Sequence, residues 1–359
     1  MNVDNKNKLY EFEKIAIIVV LVLVVVIGAI VVSIATSGND SRNDKGTDSE
    51  LVIQGTSDIS ETDDYTGDSE QGGEQENSDG FDENPLQGGN ANIKFETITV
   101  DNTMLTEGEL VLVNQDYEFR KNIEDSLVNV YAEKVKRNQS FVLSTTTLML
   151  RMETIDALCD MLAGFNKDTN IGTQSLMITN TYVDIDKQQS DYETEASKLD
   201  SSKLPYLQAG GESEHHTGLA FHMVVYPNSQ GKMGQGSYEW FVDNCWKYGF
   251  VLRYPEGKED RTQAFADITH FRYVGIPHAA CMNINQWVLE DYLDFLQDRT
   301  SFENRKTIKD SEGVGYEVYA VKADESGKTK VPVPAADSNW SYTITGANNG
   351  YFVVTIKLK

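Results

Sequence analysis

Ile15 to Ala35 is a run of twenty-one residues without a single charge, built almost entirely from isoleucine, valine, leucine, alanine and glycine. As a helix rising about 1.5 Å per residue it would span about 30 Å, the hydrocarbon thickness of a bilayer. A cleaved secretory signal has an apolar stretch of only about 7–15 residues that ends at a small-residue site. Here the run is longer, and Ser33, Ala35, Thr36 and Ser37 make a weak site of that kind, so it reads as an uncleaved single-pass anchor. Lys6, Lys8 and Lys14 precede it, whereas the other side turns acidic. That lysine bias places residues 1–14 in the cytoplasm and everything after the anchor, residues 15–35, outside it.

Residues 36–92 follow as a linker. They hold fifteen Asp or Glu against two Lys or Arg, about half of the whole chain's net charge of −25, and few large apolar side chains. Such a segment cannot bury enough surface to offset its ordering entropy, and its charges repel, so the reading is an extended, disordered spacer. Acidity concentrated there argues against nucleic acid as a partner. Cys159, Cys245 and Cys281 are scattered and odd in number, which excludes a disulfide framework or a cysteine zinc site. A folded part outside the membrane with so few cysteines suits the surface of a Gram-positive bacterium.

The folded part begins near Ile93, and its pattern is α+β. IKFETITV and GELVLVN read as strands, and Ile123, Leu127, Val130 and Val135 predict a helix over 122–138. A longer apolar helix is predicted over 146–166, and Asp184 caps another running to Ala196. SLMITNTY, GLAFHMVVY, FVLRY and HFRYVG read as strands, SYEWFVDNCWKYG as a helix ended by Gly249, and Pro277 as the opening of a helix that runs to about Leu296. After residue 300 the pattern changes. GYEVYAVKA, TKVPVP, WSYTITG and GYFVVTIKL predict four short strands, so residues 93–300 form a main domain and 301–359 a small β-subdomain that either docks on it or meets a partner.

All five histidines, His215, His216, His222, His270 and His278, fall in one stretch of this main domain. Neutral imidazole is the commonest metal ligand, and zinc takes it readily. In SEHHTGLAFH, His215 precedes a turn at Gly218 and His222 lies on the strand after it, a spacing that allows both to reach one ion. In DITHFRYVG, Asp267 stands three residues before His270, where a carboxylate can serve as general base toward a metal-activated water. His216, immediately beside His215, reads as a hydrogen-bonded loop residue. His278, after Pro277, reads as a helix-start or surface residue, and Arg272 as a structural ion pair. Trp240, Trp246, Tyr248 and Tyr254 read as core and groove walls. No G-x-S-x-G occurs and no cysteine sits in a nucleophile motif, which speaks against covalent catalysis.

SEHHTGLAFH resembles the S-x-H-x-x-G-x-A-x-D motif of the VanY-type zinc D-alanyl-D-alanine carboxypeptidases, which are grouped with lysostaphin-like peptidases and the hedgehog fold. DITHFRYVG resembles the same family's E-x-W-H-[YF]-R-Y-V-G, and TYVDIDKQQ its S-G-Y-R-S-x-x-x-Q. YGFVLRYPEGKED and LVLVN are also typical, and the likeness covers roughly residues 109–296. The resemblance implies a central antiparallel sheet, one zinc held by His, Asp and His, a Glu base, an Arg for the substrate carboxylate, and removal of the terminal D-alanine from peptidoglycan stem peptides. Carried over by position, His215 and His270 are metal ligands. Ser213, Gly218 and Ala220 belong to the motif's frame, Gln188 is its glutamine, and Ser213, Gln188 and Tyr182 are candidate substrate contacts.

Three working positions depart from the pattern: His222 replaces the Asp ligand, Asp267 the Glu base and Val183 the Arg. A three-histidine zinc site with an open position is chemically sound. Asp267 keeps a carboxylate, but one methylene shorter, and misplacement by about 1 Å can cost about 10²-fold. Val183 cannot bind a carboxylate, which leaves Lys187, Lys203 or Arg253 as candidate cations. Two readings therefore stand. One is a membrane-anchored zinc D,D-carboxypeptidase in which ligand replaced ligand and base replaced base. The other is a degenerate relative that serves as a non-enzymatic cell-wall binding or scaffolding module.

Overall fold

The computed structural model of the chain describes residues 93–359; the apolar run 15–35 and the acidic segment 36–92 lie outside the described residues. Among the described residues no helix is long and apolar enough to cross a membrane. The described residues form thirteen strands: β1 Phe95–Asp101, β2 Leu127–Asn129, β3 Val142–Leu143, β4 Met149–Arg151, β5 Leu176–Ile178, β6 Ala220–Val225, β7 Phe250–Tyr254, β8 Asp267–Tyr273, β9 Lys306–Lys309, β10 Gly315–Lys322, β11 Lys328–Pro334, β12 Tyr342–Gly346 and β13 Tyr351–Lys357. The helices are α1 Val130–Lys136, α2 Met152–Thr169, α3 Ile185–Ala196, α4 Trp240–Asn244, α5 Glu259–Thr262, α6 Ile276–Asn285 and α7 Leu289–Arg299.

The central sheet has the order β3-β5-β6-β8-β7. It is antiparallel throughout except at one edge, where β3 runs parallel to β5. Its apolar face packs on α2, whose Ile155, Leu158, Met161, Leu162 and Phe165 recur at helical spacing and are all buried. Phe221 of β6 stacks on Phe271 of β8 and meets Phe250 of β7 edge-on, so the three strands that carry the polar constellation are pinned together from behind.

Several elements differ from the sequence reading, each for a local reason. The helix expected over 122–138 forms only as α1, because the Asn129 side chain caps the amide of Ala132 and residues 127–129 pair with β4 instead. That pairing also delays α2 to Met152. GELVLVN is largely buried but opens on a turn and continues as a loop, not a strand: the carbonyls of Glu109 and Val111 accept from Arg272, and the Leu112 amide donates to the Ala347 carbonyl. The helix after Pro277 breaks at Gln286, which takes a left-handed conformation, giving α6 and α7. The first strand, β1, pairs not with the central sheet but with β11 of the C-terminal segment.

That segment docks on the rest. β12-β13-β10-β9 form a four-stranded sheet whose Ile308, Val318, Ala320 and Val353 share one apolar core with Ala279 and Met282 of α6 and Leu289, Tyr292, Leu293 and Leu296 of α7. His278, expected as a helix-start or surface residue, does stand in the first turn of α6 but is buried in this seam, with Nδ1 2.7 Å from Tyr292 Oη and Nε2 3.2 Å from Thr355 Oγ1. The reason is that β13 covers the start of α6.

Candidate metal centre

The turn Ser213–Gly218 and the β6–β8 ladder build the site. Ser213 Oγ accepts from the His215 amide and starts a short 3-10 turn; Gly218 ends it in the left-handed region, at φ 68°. A Cβ there would stand 2.7 Å from Leu127 Cδ2, so both conformation and space demand glycine. The chain then enters β6, where His222 lies directly opposite His270 of β8. Direct cross-strand neighbours hold their Cβ atoms about 4.5–5.5 Å apart, so this register brings the two rings together. Nε2 of His222 lies 2.9 Å from Nδ1 of His270. His215 folds back from the turn, its ring centroid 5.1 Å from that of His222 and 4.9 Å from that of His270. One nitrogen from each of the three lies within 4.8 Å of the others.

Asp267 is three residues from His270, a spacing that in a regular strand would place the two on opposite faces. The ladder is irregular here: Leu252 pairs with Phe271 but Tyr254 with Asp267, so β8 carries extra residues against β7. Such bulges re-aim side chains beside functional sites. Oδ1 of Asp267 accepts from the Thr269 amide at 2.8 Å and from its hydroxyl at 2.7 Å, which fixes the carboxylate. Oδ2 is left facing His222 Nε2 at 3.7 Å.

Burial keeps all three imidazoles neutral at pH 7. It pushes His215 down to about 3, with the neighbouring His222 adding to the shift, and holds His270 well below the usual range. His222 is lowered by burial while the Asp267 charge opposes the shift. Nδ1 of His215 and Nε2 of His270 are buried without a hydrogen-bond partner. A set of three neutral nitrogens with an adjacent opening suits zinc, so the residues present fit the ion.

The opening is a cavity of about 320 Å³ that exposes His215, His222, His270 and Asp267. Ser213 and Gln188 line it too, the latter tied by Nε2 to the Gln208 carbonyl at 2.8 Å. Tyr182 does not; it lines a neighbouring depression with Arg120 and His216. None of Lys187, Lys203 or Arg253 reaches the cavity, and among the described residues no lysine or arginine lines it. Lys187 pairs with Asp191 on the surface, and Arg253 is fully buried against Glu214 and Glu290. His216 is a loop residue held by the Val183 carbonyl at 2.7 Å and the Gly211 amide at 3.0 Å. Asn180, Tyr206, Gln208 and Phe265 also line the cavity and escaped the sequence reading: Asn180 lies just past the end of β5, in a run read whole as strand, Tyr206 closes a short 3-10 turn, and Gln208 and Phe265 sit in loops without periodicity. Glu214 escaped as well. The motif leaves its position unspecified, and only its surroundings reveal it.

A family profile described as VanY, D-alanyl-D-alanine carboxypeptidase, matches residues 147–276, the stretch that holds the three histidines and Asp267. A D-alanyl-D-alanine carboxypeptidase of Enterococcus faecium is 29% identical over 283 residues, which cover 77% of this chain and 85% of that protein. The putative carboxypeptidase YodJ of Bacillus subtilis (strain 168) is 31% identical over 201 residues, 52% of this chain and 68% of that protein. Among solved structures, the vancomycin-resistance D,D-dipeptidase VanXYg, determined with a D-Ala-D-Ala phosphinate analogue, aligns with a TM-score of 0.61 at 24% identity, covering 74% of this chain and all of that one. At that identity the match speaks to the fold, and it agrees with the central sheet described above. Identity at this level across most of a relative, with the profile seated on the histidine ladder, makes this chain a member of the VanY family of D-alanyl-D-alanine carboxypeptidases.

Proposed function

We propose that the protein is a membrane-anchored zinc D,D-carboxypeptidase that removes the terminal D-alanine from peptidoglycan stem peptides outside the cytoplasm. The convergence of His215, His222 and His270 beside the carboxylate of Asp267 carries this reading. These three histidines would hold the ion, which when bound supplies a Lewis acid that polarises the scissile carbonyl and acidifies water. Asp267, pinned through Oδ1 by Thr269, offers Oδ2 as the proton acceptor and can return that proton to the leaving amine. Ser213 and Gln188, with Asn180 and Gln208, present hydroxyl and amide groups to a peptide in the cavity, and Tyr206 and Phe265 form an apolar wall. The segment 15–35 would anchor the chain, and 36–92 would let the folded unit sample wall polymer near the membrane.

The test is release of D-alanine from a stem pentapeptide ending in D-Ala-D-Ala by the full chain in detergent, with and without a zinc chelator. Release that the chelator abolishes and zinc restores is expected. A zinc-loaded protein that binds the pentapeptide without cleaving it would overturn the reading and favour the second one, a non-enzymatic wall-binding module. The observation on that side is the cavity's lack of a lysine or arginine for a free carboxylate among the described residues.

A further inference from the structure

Beneath the histidines lies a buried charged network that the reaction as proposed does not use. Glu214 and Arg253 are fully buried, as is Arg272, and Glu290 nearly so. Arg253 donates through Nε to Glu214 Oε1 at 2.8 Å, and through Nη1 and Nη2 to Glu290 at 2.9 and 2.6 Å. Arg272 Nη1 makes an ion-pair contact with the same Glu214 oxygen at 2.8 Å, while its Nη2 donates to the Glu109 and Val111 carbonyls. Asn114 donates to Glu290. Two carboxylates thus balance two guanidinium groups, and Oε1 of Glu214 serves both arginines.

One acceptor is left over. Oε2 of Glu214 is buried and has no hydrogen-bond partner. It points at His270 Nε2, 3.9 Å away, which is likewise buried and without a partner. A buried donor or acceptor left unpaired keeps its full desolvation cost, so a facing pair of this kind has a strong reason to close. A shift of about 1 Å reaches hydrogen-bond distance.

We propose that Glu214 is a positioning residue for His270. It holds the proton on Nε2 and so leaves the Nδ1 lone pair turned toward His222 and the metal cluster. The requirement is chemical. An imidazole ligates through a bare nitrogen, and the other nitrogen's hydrogen-bond partner decides which one is bare. The proposal rests on the reading that the three histidines hold a metal ion.

The experiment uses the full chain with ¹⁵N-labelled histidine, as the unaltered protein, Glu214→Gln and Arg272→Lys. The zinc-free unaltered protein should show His270 as the Nε2–H tautomer. In Glu214→Gln the amide oxygen can still accept from Arg253, which leaves the amide nitrogen facing His270, where it can only donate. The His270 tautomer should then reverse to Nδ1–H. The zinc dissociation constant by chelator competition should rise about 10–100-fold, the usual cost of losing such a partner. Arg272→Lys should lower the melting temperature while leaving tautomer and zinc affinity in place. An Nδ1–H tautomer in the unaltered protein overturns the proposal even if the Gln variant fails to fold. Arg272→Lys weakening zinc as much as Glu214→Gln also overturns it, by making Glu214 mere scaffolding. If the unaltered protein binds no zinc, the metal reading falls, and the tautomer still decides the role of Glu214.

Discussion

His222, Asp267 and Val183 stand where the family pattern has an aspartate, a glutamate and an arginine. Together the three exchanges leave the summed side-chain charge unchanged, because one carboxylate and one guanidinium disappear at once. A ligand position filled by another ligand, and a base position by another base, is what a retained site requires. The geometry agrees, since Asp267 Oδ2 stands 3.7 Å from His222 Nε2 despite the shorter side chain. The bulge in β8 and the Thr269 contacts bring it there. Two substitutions separate the roles. His222→Ala should lose most of the bound zinc, read by elemental analysis of the dialysed protein. Asp267→Asn should keep its zinc yet lower turnover by about 10²–10⁴-fold, the usual worth of a positioned base. Full turnover in Asp267→Asn would remove that residue from the mechanism.

The β6–β8 ladder and the turn before it do most of the placing. A register that sets His222 against His270 depends on β6 starting where it does, and Gly218 sets that start. Gly218→Ala must adopt a left-handed conformation at a cost of about 1–2 kcal/mol and meet Leu127 besides. We expect a lower urea midpoint and weaker zinc binding together; a variant of unchanged stability would show that the turn has slack. This is also where the sequence spoke most clearly. Residues placed by local chemistry, such as His215 and His222 on one turn and its strand and the Asp184 cap of α3, were legible from spacing. Loop residues such as Asn180 and Gln208 were not, since what brings Asn180 to the site is its carbonyl accepting from the His222 amide, a long-range bond without a local signature. Tyr182 lies outside the cavity lining. Motif alignment put it with Gln188, but the chain turns between them, and its ring packs beside Val113 and Phe119. The strand misread at GELVLVN belongs to the same class, because Arg272, far along the chain, takes the carbonyls that a neighbouring strand would have used.

Across the whole described unit, the C-terminal sheet and the central sheet are joined through α6 and α7, and His278 sits at that junction. Its ring is fully buried between Tyr292 and Thr355, and burial alone pushes it down to about 3. Unfolded, it would titrate near 6.5. Between these two values the unfolded chain binds a proton that the folded one refuses. The stability His278 confers is therefore complete above about pH 6.5 and drains away as the pH falls below it, by about 1.4 kcal/mol per pH unit. His215 and His270 add the same sign in the zinc-free protein, so the contribution of His278 has to be isolated by difference. His278→Gln keeps an amide that can meet Tyr292 and Thr355 but takes up no proton. We expect the zinc-free variant to be less stable than the parent at pH 8, from imperfect packing, and to lose stability more slowly on acidification. The gap between the two should narrow from pH 6.5 downward, followed by urea unfolding at intervals of half a pH unit. Parallel curves would mean that His278 is protonated in the folded protein, and that the junction carries a buried charge rather than a neutral hydrogen-bonded ring.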